Sequence, residues 1–232
     1  MSISHSSPLT ILLATQSEGK RREFERLGEN FQLAFDFVCA PAGLDIEETG
    51  ATFLENARLK ALGYWQKLSQ DQGFLKSAPG IDYVLAEDSG LEVMALASLS
   101  QQGCFPGVIS KRWLNGHPNV TQANLNQALL KLIHEEQANE LAGNRSAAYH
   151  CAMVLLDVKT GEMIEAQEAM PLLVATAARG EGGFGYDPIM HPVVNGIAMV
   201  ETVAEISPEL KNHLSHRGKA FRQVLKALKI SL

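Results

Sequence analysis

Apolar positions along this chain follow two rhythms, and the rhythm changes from segment to segment. Residues 9–14 (LTILLA) form an almost unbroken apolar run, which predicts a strand covered on both faces inside an α/β sheet. Residues 15–19 break that run. From Lys20 to Leu27 the charges, with Phe24 and Leu27 between them, fall at helical spacing, and Gly28 is placed as a C-cap. Residues 35–40 predict a second strand, closed by Pro41. After the acidic residues 45–48, Thr52-Phe-Leu-Glu55 has the form of a capping box, and Leu54, Ala57, Ala61 and Trp65 follow along one helical face.

Residues 69–82, rich in Gly, Ser, Pro and Gln, predict a surface loop. Residues 83–86 read as a strand ending in Glu87-Asp88-Ser89-Gly90. A turn-rich stretch over 98–118 leads to a helix from about Thr121 to Glu136, striped by Leu125, Leu129, Leu132 and Ile133. The period then becomes extended over 146–158 and 163–177, with Lys159-Thr160-Gly161 predicting a hairpin between two long strands. Residues 180–185 hold four of the 19 glycines. The last segment is helical, with Ser207 as N-cap, Pro208 at the first helical position, and then Phe221, Val224, Leu225 and Leu228. No internal repeat, low-complexity tract or interdomain linker is visible, so residues 1–232 are expected to form one domain.

Composition narrows the classes. With 232 residues, 46% hydrophobic and 20% charged, the chain can bury a full core without disulfides or structural metals. Its 26 acidic residues outnumber 20 basic ones, giving a net charge of -6. That balance removes the long-range attraction on which nucleic-acid and anionic-membrane binders rely, so any basic site must be local. Cys39, Cys104 and Cys151 are odd in number and lack Cys-x-x-Cys spacing, which predicts reduced, mostly buried thiols. The start carries no basic n-region, and no stretch approaches the roughly 20 apolar residues of a membrane span. The expectation is a cytoplasmic protein.

Four places carry candidate chemistry. The loop Thr15-Gln16-Ser17-Glu18-Gly19-Lys20, between a buried strand and a helix start, can aim backbone N–H groups and an ammonium at a phosphate. It lacks the spacing of a P-loop, and taken alone an ordinary turn, with Gly19 relieving crowding, is the favoured reading. Acidic residues stand at Glu47-Glu48 before a helix and at Glu87-Asp88 at a strand end; a carboxylate at the strand end, beside Ser89 and Gly90, could hold Mg²⁺, which takes one or two protein carboxylates, and a solvated turn is the plain alternative there. In Glu181-Gly-Gly-Phe-Gly-Tyr-Asp187-Pro188, glycines let the backbone approach a flat ligand on which Phe184 or Tyr186 stacks, unless both aromatics belong to the core. Around Lys211 to Lys219, His213 and His216 stand three apart, as a helical metal pair would. With no third ligand nearby, a capping or solvated role is favoured over zinc. Six Lys/Arg against two acids over residues 205–229 also suggest a basic helix. Its apolar face is more simply a core face.

In the same order, these segments resemble the Ham1/ITPase family of inosine/xanthosine triphosphate pyrophosphatases. The resemblance rests on ATQSEGK, EETGATFLENARLKA, AEDSGLEV, PGVISKR, GGFGYDP and AEISPELKNHLSHRGKA, spread from about residue 11 to residue 228. It implies an elongated α/β fold in which a long mixed sheet joins two lobes flanked by helices, with the nucleotide in the cleft between lobes. It further implies a homodimer and Mg²⁺-dependent hydrolysis of ITP, dITP or XTP to monophosphate and pyrophosphate. By the same resemblance, Thr15 to Lys20 cradle the phosphates, Lys60 adds positive charge, and Glu48 and Asp88 hold Mg²⁺. Asp88 is the expected catalytic residue, with Ser89 on the nucleotide beside it. Phe184, Gly185, Tyr186 and Asp187 would stack on and hydrogen-bond the purine, and Lys211, His216 and Arg217 would complete the base pocket.

The implied chemistry is coherent. A triphosphate needs concentrated positive charge, which Lys20, Lys60 and a metal supply. Hypoxanthine and xanthine carry a 6-keto acceptor where adenine carries a donor, so Lys211 or Arg217 at that position would reject adenine. This chain departs from the usual pattern in four respects. Glu87 stands where bacterial members usually carry Asp, Glu18 lies inside the phosphate loop and is expected to point outward, residues 69–82 and 99–105 form enlarged loops, and Lys111-Arg112 replaces the commoner small residue and Arg. Two alternatives remain open at this stage: a Maf-like pyrophosphatase of other modified nucleotides, and a non-catalytic nucleotide-binding protein.

Overall fold

A strand whose neighbours in sequence are all apolar must be covered on both faces, and β1 (Leu9–Leu13) is so covered. A computed structural model describes residues 8–30, 35–78, 80–114, 120–138 and 144–228. Along them run β1, α1 (Glu18–Asn30), β2 (Phe35–Cys39), α2 (Phe53–Leu68), α3 (Gln72–Ser77), β3 (Tyr83–Val93) and α4 (Gln122–Ala138). Then follow β4 (Ser146–Asp157), β5 (Met163–Val174), β6 (Met190–Val194), β7 (Ile197–Ala198), α5 (Pro208–Leu214) and α6 (His216–Ala227). The strands form one mixed sheet in the order β2-β1-β3-β4-β5-β6-β7. β1 is parallel to β2 and β3, whereas β6 is antiparallel to β5 and β7. No helix among the described residues is long and apolar enough to cross a membrane.

The chain divides into two compact units. The first comprises Met1–Asp88, Cys151–Glu168 and Arg217–Leu232; the second comprises Ser89–His150 and Ala169–His216. β3, β4 and β5 each begin in one unit and end in the other.

In the first unit, strand alternation sends successive side chains to two cores. Leu12, Val84, Ala86 and Val154 meet Ala57, Ala61, Tyr64 and Leu68 of α2. Ile11, Leu13, Leu85 and Met153 meet Phe24 and Leu27 of α1 and Phe221, Val224 and Leu225 of α6. α2 starts at the expected capping box: Thr52 accepts from the Glu55 N–H, and the Glu55 carboxylate accepts from the Thr52 N–H. The hairpin is also present, closed by the Asp157 carboxylate accepting from the N–H groups of Lys159 and Thr160. In the second unit, Leu125, Leu129 and Ile133 of α4 pack on Leu91, Val93, Tyr149, Met170, Leu172 and Val174.

The structure differs from the sequence reading at several points. Residues 69–82 are not one loop but contain α3, whose N-cap Asp71 accepts from Gly73 N–H and Phe74 N–H at 2.8 and 3.0 Å. α1 runs through Gly28 rather than ending there; a side chain at that position would come within 3.3 Å of the Phe37 ring, so the glycine serves packing. β3 does not end at Ala86 but continues to Val93, which places Glu87 and Asp88 in mid-strand. His213 and His216 do not share a helix, because Ser215 is extended (ψ 144°) and separates α5 from α6. Only Cys151 is fully buried, Cys39 and Cys104 being half-buried, and all three thiols are free. Of the expected features, residues 1–7, residues 115–118 of the turn-rich stretch and Lys229 lie outside the described residues.

Candidate active site

β3 sets up the charged part of the first unit by alternation. Glu87 continues the row of Tyr83 and Leu85, on the face covered by α1 and α6; Asp88 continues the row of Val84 and Ala86, on the face covered by α2. Each carboxylate is buried, so each needs charged partners.

On the α2 face, the Lys60 ammonium lies 3.0 Å from Glu48 Oε1 and 3.1 Å from Asp88 Oδ1. One turn earlier on α2, Asn56 donates to Asp88 Oδ2 at 3.1 Å, while its own oxygen accepts the Gly50 N–H at 2.7 Å. Burial alone would lower the Lys60 pKa, but Asp88, Glu87 and Glu48 outweigh it and hold the ammonium charged. Burial dominates at Asp88 and, with Glu48 and Glu87 adding to it against Lys60, raises its carboxyl above the ordinary range.

On the opposite face, Glu87 Oε1 meets Lys20 Nζ at 2.5 Å and the Arg217 guanidinium at 3.2 Å. Arg217 also meets Glu23 at 2.6 Å and is only 1% exposed. Burial would raise the Glu87 pKa, but Arg217 and Lys20 reverse the sign and hold it well below the carboxylate range. Two carboxylates adjacent in sequence are thus driven in opposite directions, a pattern that separates a permanently ionised holder from a proton acceptor.

The phosphate-loop candidates are ordered by local bonds. Ser17 caps α1, its hydroxyl accepting from the Lys20 N–H at 3.4 Å, and Thr15 Oγ1 accepts the Ser17 N–H at 3.1 Å. The Gln16 side chain is spent on structure: it donates to the Leu44 carbonyl and accepts from the Gly43 N–H. Glu18 points outward, paired with Arg21 at 3.2 Å, as expected. A Cβ on Gly19 would meet only Ser17 Oγ, at 3.8 Å. What the loop offers is the N-terminal N–H groups of α1 and Lys20.

In the second unit the glycine-rich loop closes on Asp187, which is 2% exposed. Asp187 Oδ2 accepts from the Phe184 N–H at 2.8 Å and pairs with Lys211 Nζ at 2.6 Å; Oδ1 accepts from Tyr149 at 3.0 Å. Gly183 has φ +72°, and a Cβ there would fall 2.2 Å from Asp187 Oδ2, so only glycine permits this closure. The two aromatics part company. Phe184 is 49% exposed, with Lys211 Nζ 4.3 Å from its ring centroid. Tyr186 is core, its hydroxyl donating to the Ser110 carbonyl and accepting from Trp113 Nε1. Asn126 holds the loop by donating to the Gly185 carbonyl at 3.2 Å. His216 is buried, its ring 5.1 Å from that of Tyr149.

The expected residues therefore fall into three groups. Lys60, Glu48 and Asp88 come together, as do Phe184, Asp187 and Lys211. Arg217 joins Glu87, Glu23 and Lys20 within the first unit, whereas Ser89 begins the second. Asn56, Glu23 and Tyr149 were not singled out in the sequence. Asn56 was within reach, since it precedes Lys60 by four residues on the same helical face.

A hard divalent cation suits the Glu48 and Asp88 pair. Their oxygens already converge on one positive atom, and such an ion needs only one or two protein carboxylates, with water and phosphate filling the rest. No group of three His, Cys, Asp or Glu side chains able to hold a metal occurs among the described residues.

Comparison with known proteins agrees over nearly the whole chain. The family described as Ham1 family matches residues 11–227. A dITP/XTP pyrophosphatase of Prochlorococcus marinus (strain NATL1A) is 36% identical over 221 residues, 94% of this chain and 93% of that protein. A dITP/XTP pyrophosphatase of Geobacillus kaustophilus (strain HTA426) is 36% identical over 219 residues, 92% of this chain and 91% of that protein. Among solved structures, a HAM1 protein from Coxiella burnetii is similar with a TM-score of 0.69 at 32% identity, covering 95% of this chain and 96% of that one.

Proposed function

The chain belongs to the Ham1 family, and from that membership we propose that it hydrolyses the non-canonical purine nucleoside triphosphates ITP, dITP and XTP to monophosphate and pyrophosphate, clearing them from the nucleotide pool. The observation that carries this reading is the buried Asp88, set between the Lys60 ammonium and the Asn56 amide with Glu48 across the same ammonium.

Asp88 and Glu48 would hold a divalent cation, which we assign as Mg²⁺; when bound, it lowers the pKa of water and neutralises phosphate charge. Asp88, with its raised pKa, accepts the proton of the attacking water as the water oxygen bonds to the α-phosphorus. The bond from the α-phosphorus to the bridging oxygen breaks, and pyrophosphate leaves. Asn56 keeps the Asp88 carboxylate oriented. Lys60 stabilises the charge that develops on the phosphoryl oxygens. The segment from Thr15 to Lys20, through the Lys20 ammonium and the N–H groups at the start of α1, takes the outer phosphates, and Ser89 lies against the nucleotide.

Phe184 offers an exposed ring face on which a purine can stack. Lys211 presents a donor to the 6-keto group of hypoxanthine or xanthine; adenine, with a donor there, would leave the ammonium unmatched. Gly185, Tyr186, Asp187 and His216 shape that side of the site. Arg217, held by Glu23 and Glu87, serves through charge placement rather than by reading the base. The reading includes a homodimer working in the cytoplasm, with no nucleic-acid or membrane partner.

Pyrophosphate release from dITP, XTP, dGTP and dATP, measured with and without Mg²⁺ for the wild type and Asp88→Asn, tests the proposal. Metal-dependent release from dITP and XTP that falls by several orders of magnitude in the variant is expected. Equal rates in the two proteins, or no release from any of the four, would overturn it.

A further inference from the structure

The Asp187 carboxylate lies on the base side of the site, yet its hydrogen bonds are turned inward. Three donors already converge on it: the Tyr149 hydroxyl on one oxygen, the Phe184 N–H and the Lys211 ammonium on the other. A carboxylate offers about four acceptor positions in all, so most of its capacity is committed to protein groups. Asp187 is accordingly a clamp that fixes where Lys211 stands over Phe184. The orientation of the clamp depends on the oxygen that Lys211 does not touch, and that oxygen is held by Tyr149.

Tyr149 is itself closely packed. It is buried among Leu91, Leu129, Met170 and Tyr186, and its ring lies 5.1 Å from that of His216 at an interplanar angle of 37°. Burial and the Asp187 carboxylate push its phenol well above the ordinary tyrosine range, so it donates to Asp187 at any working pH. One side chain thus bears on both His216, through its ring, and Lys211, through Asp187.

We propose that Tyr149 is a specificity-determining positioning residue, its hydroxyl orienting Asp187 so that Lys211 Nζ is fixed in place to read the purine 6-position. This rests on the functional reading above and extends it to a residue outside the recognised motifs. The role is indirect: Tyr149 acts on the base only through Lys211. Without the hydroxyl, Asp187 can rotate about its side-chain bonds and the ammonium loses its fixed place. A donor that is no longer fixed discriminates less between a keto group and an amino group.

Tyr149→Phe removes the hydroxyl and keeps the ring against His216. Steady-state kinetics on dITP and dATP are compared for wild type, Tyr149→Phe, Lys211→Met and the double variant, with thermal midpoints recorded for all four. In Tyr149→Phe, KM for dITP is expected to rise about tenfold or more, the value of a buried hydrogen bond to a charged group, with kcat within about twofold. The preference for dITP over dATP should narrow by a similar factor. In the Lys211→Met background the same change should have almost no effect on KM or preference, since the group it positions is gone. Wild-type KM and preference in Tyr149→Phe would overturn the inference. So would an equal effect in both backgrounds, which is the signature of a general loss of packing. A wild type that releases no pyrophosphate from dITP or XTP would overturn the functional reading itself, an outcome distinct from an active wild type with an unaffected variant.

Discussion

At the scale of single residues, what separates Glu87 from Asp88 is which face of β3 each occupies. Glu87 is an ionised anchor between Lys20 and Arg217, so Glu87→Gln leaves a buried guanidinium with Glu23 as its remaining carboxylate partner among these pairs. A loss of about 3 kcal/mol is expected, the lower end for breaking a buried pair. It would be read as a lower urea midpoint at unchanged slope. Tyr149 and Tyr186 supply a second residue-level test. Burial above all raises both phenols, with Asp187 adding to it at Tyr149; Tyr186 is pushed up to about 12. A group whose pKa is higher in the folded state contributes stability that is complete below the unfolded value, about 10 for tyrosine, and is lost as pH rises through the folded value. Phenolate absorbance should therefore rise in two steps: Tyr64 and Tyr83 first, then Tyr149 and Tyr186 together with the loss of near-ultraviolet circular dichroism.

Among the elements, α2 joins local sequence rules to chemistry most directly. Its capping box was legible because Thr52 and Glu55 carry it within four residues. The same helix presents Asn56 and Lys60 to β3, and the turn before it fits only if residue 50 lacks a side chain. A Cβ on Gly50 would stand 2.7 Å from Asn56 Oδ1 and 2.9 Å from the Asn56 backbone nitrogen. Gly50→Ala should displace Asn56 from Asp88, cutting kcat at least tenfold for a stability loss of about 1–3 kcal/mol. Parallel activity assays and urea titrations would separate the two effects. The continuation of β3 beyond Ala86 was not legible in sequence. Glu87-Asp88-Ser89-Gly90 has the composition of a turn, and it stays extended because Lys20, Lys60 and Arg217 arrive from three helices to neutralise it. That information is tertiary, and no local pattern contains it. α3 was missed for a different reason: six residues with one Asp cap and little apolar periodicity resemble a loop. The order of the other strands and helices, β6 and β7 apart, followed from runs such as residues 9–14, whose almost unbroken apolarity reflects cores on both faces. At the site, the charged motifs were legible as candidates, but their grouping was not. Arg217 pairs with Glu23, which is 194 residues away in sequence.

On the scale of the whole molecule, two units with separate cores share three continuous strands, β3, β4 and β5. Each unit holds one of the two tryptophans, Trp65 packed against the first unit's core and Trp113 against the second's. Fluorescence of Trp65→Phe and Trp113→Phe then reports each unit alone. The two urea transitions are expected to coincide, because unfolding either unit removes half of each shared strand; midpoints that differ would show the units to melt independently. The ion pairs of the first unit carry a consequence for kinetics. Lys20, Lys60 and Arg217 are already faced by Glu23, Glu48, Glu87 and Asp88, and the chain as a whole carries -6. An approaching polyanion thus meets a repulsive far field and a neutralised mouth, the reverse of electrostatic steering. Encounter should quicken, not slow, as added salt shortens the screening length, and a substrate that brings its own counter-ion meets less of that repulsion than a bare one.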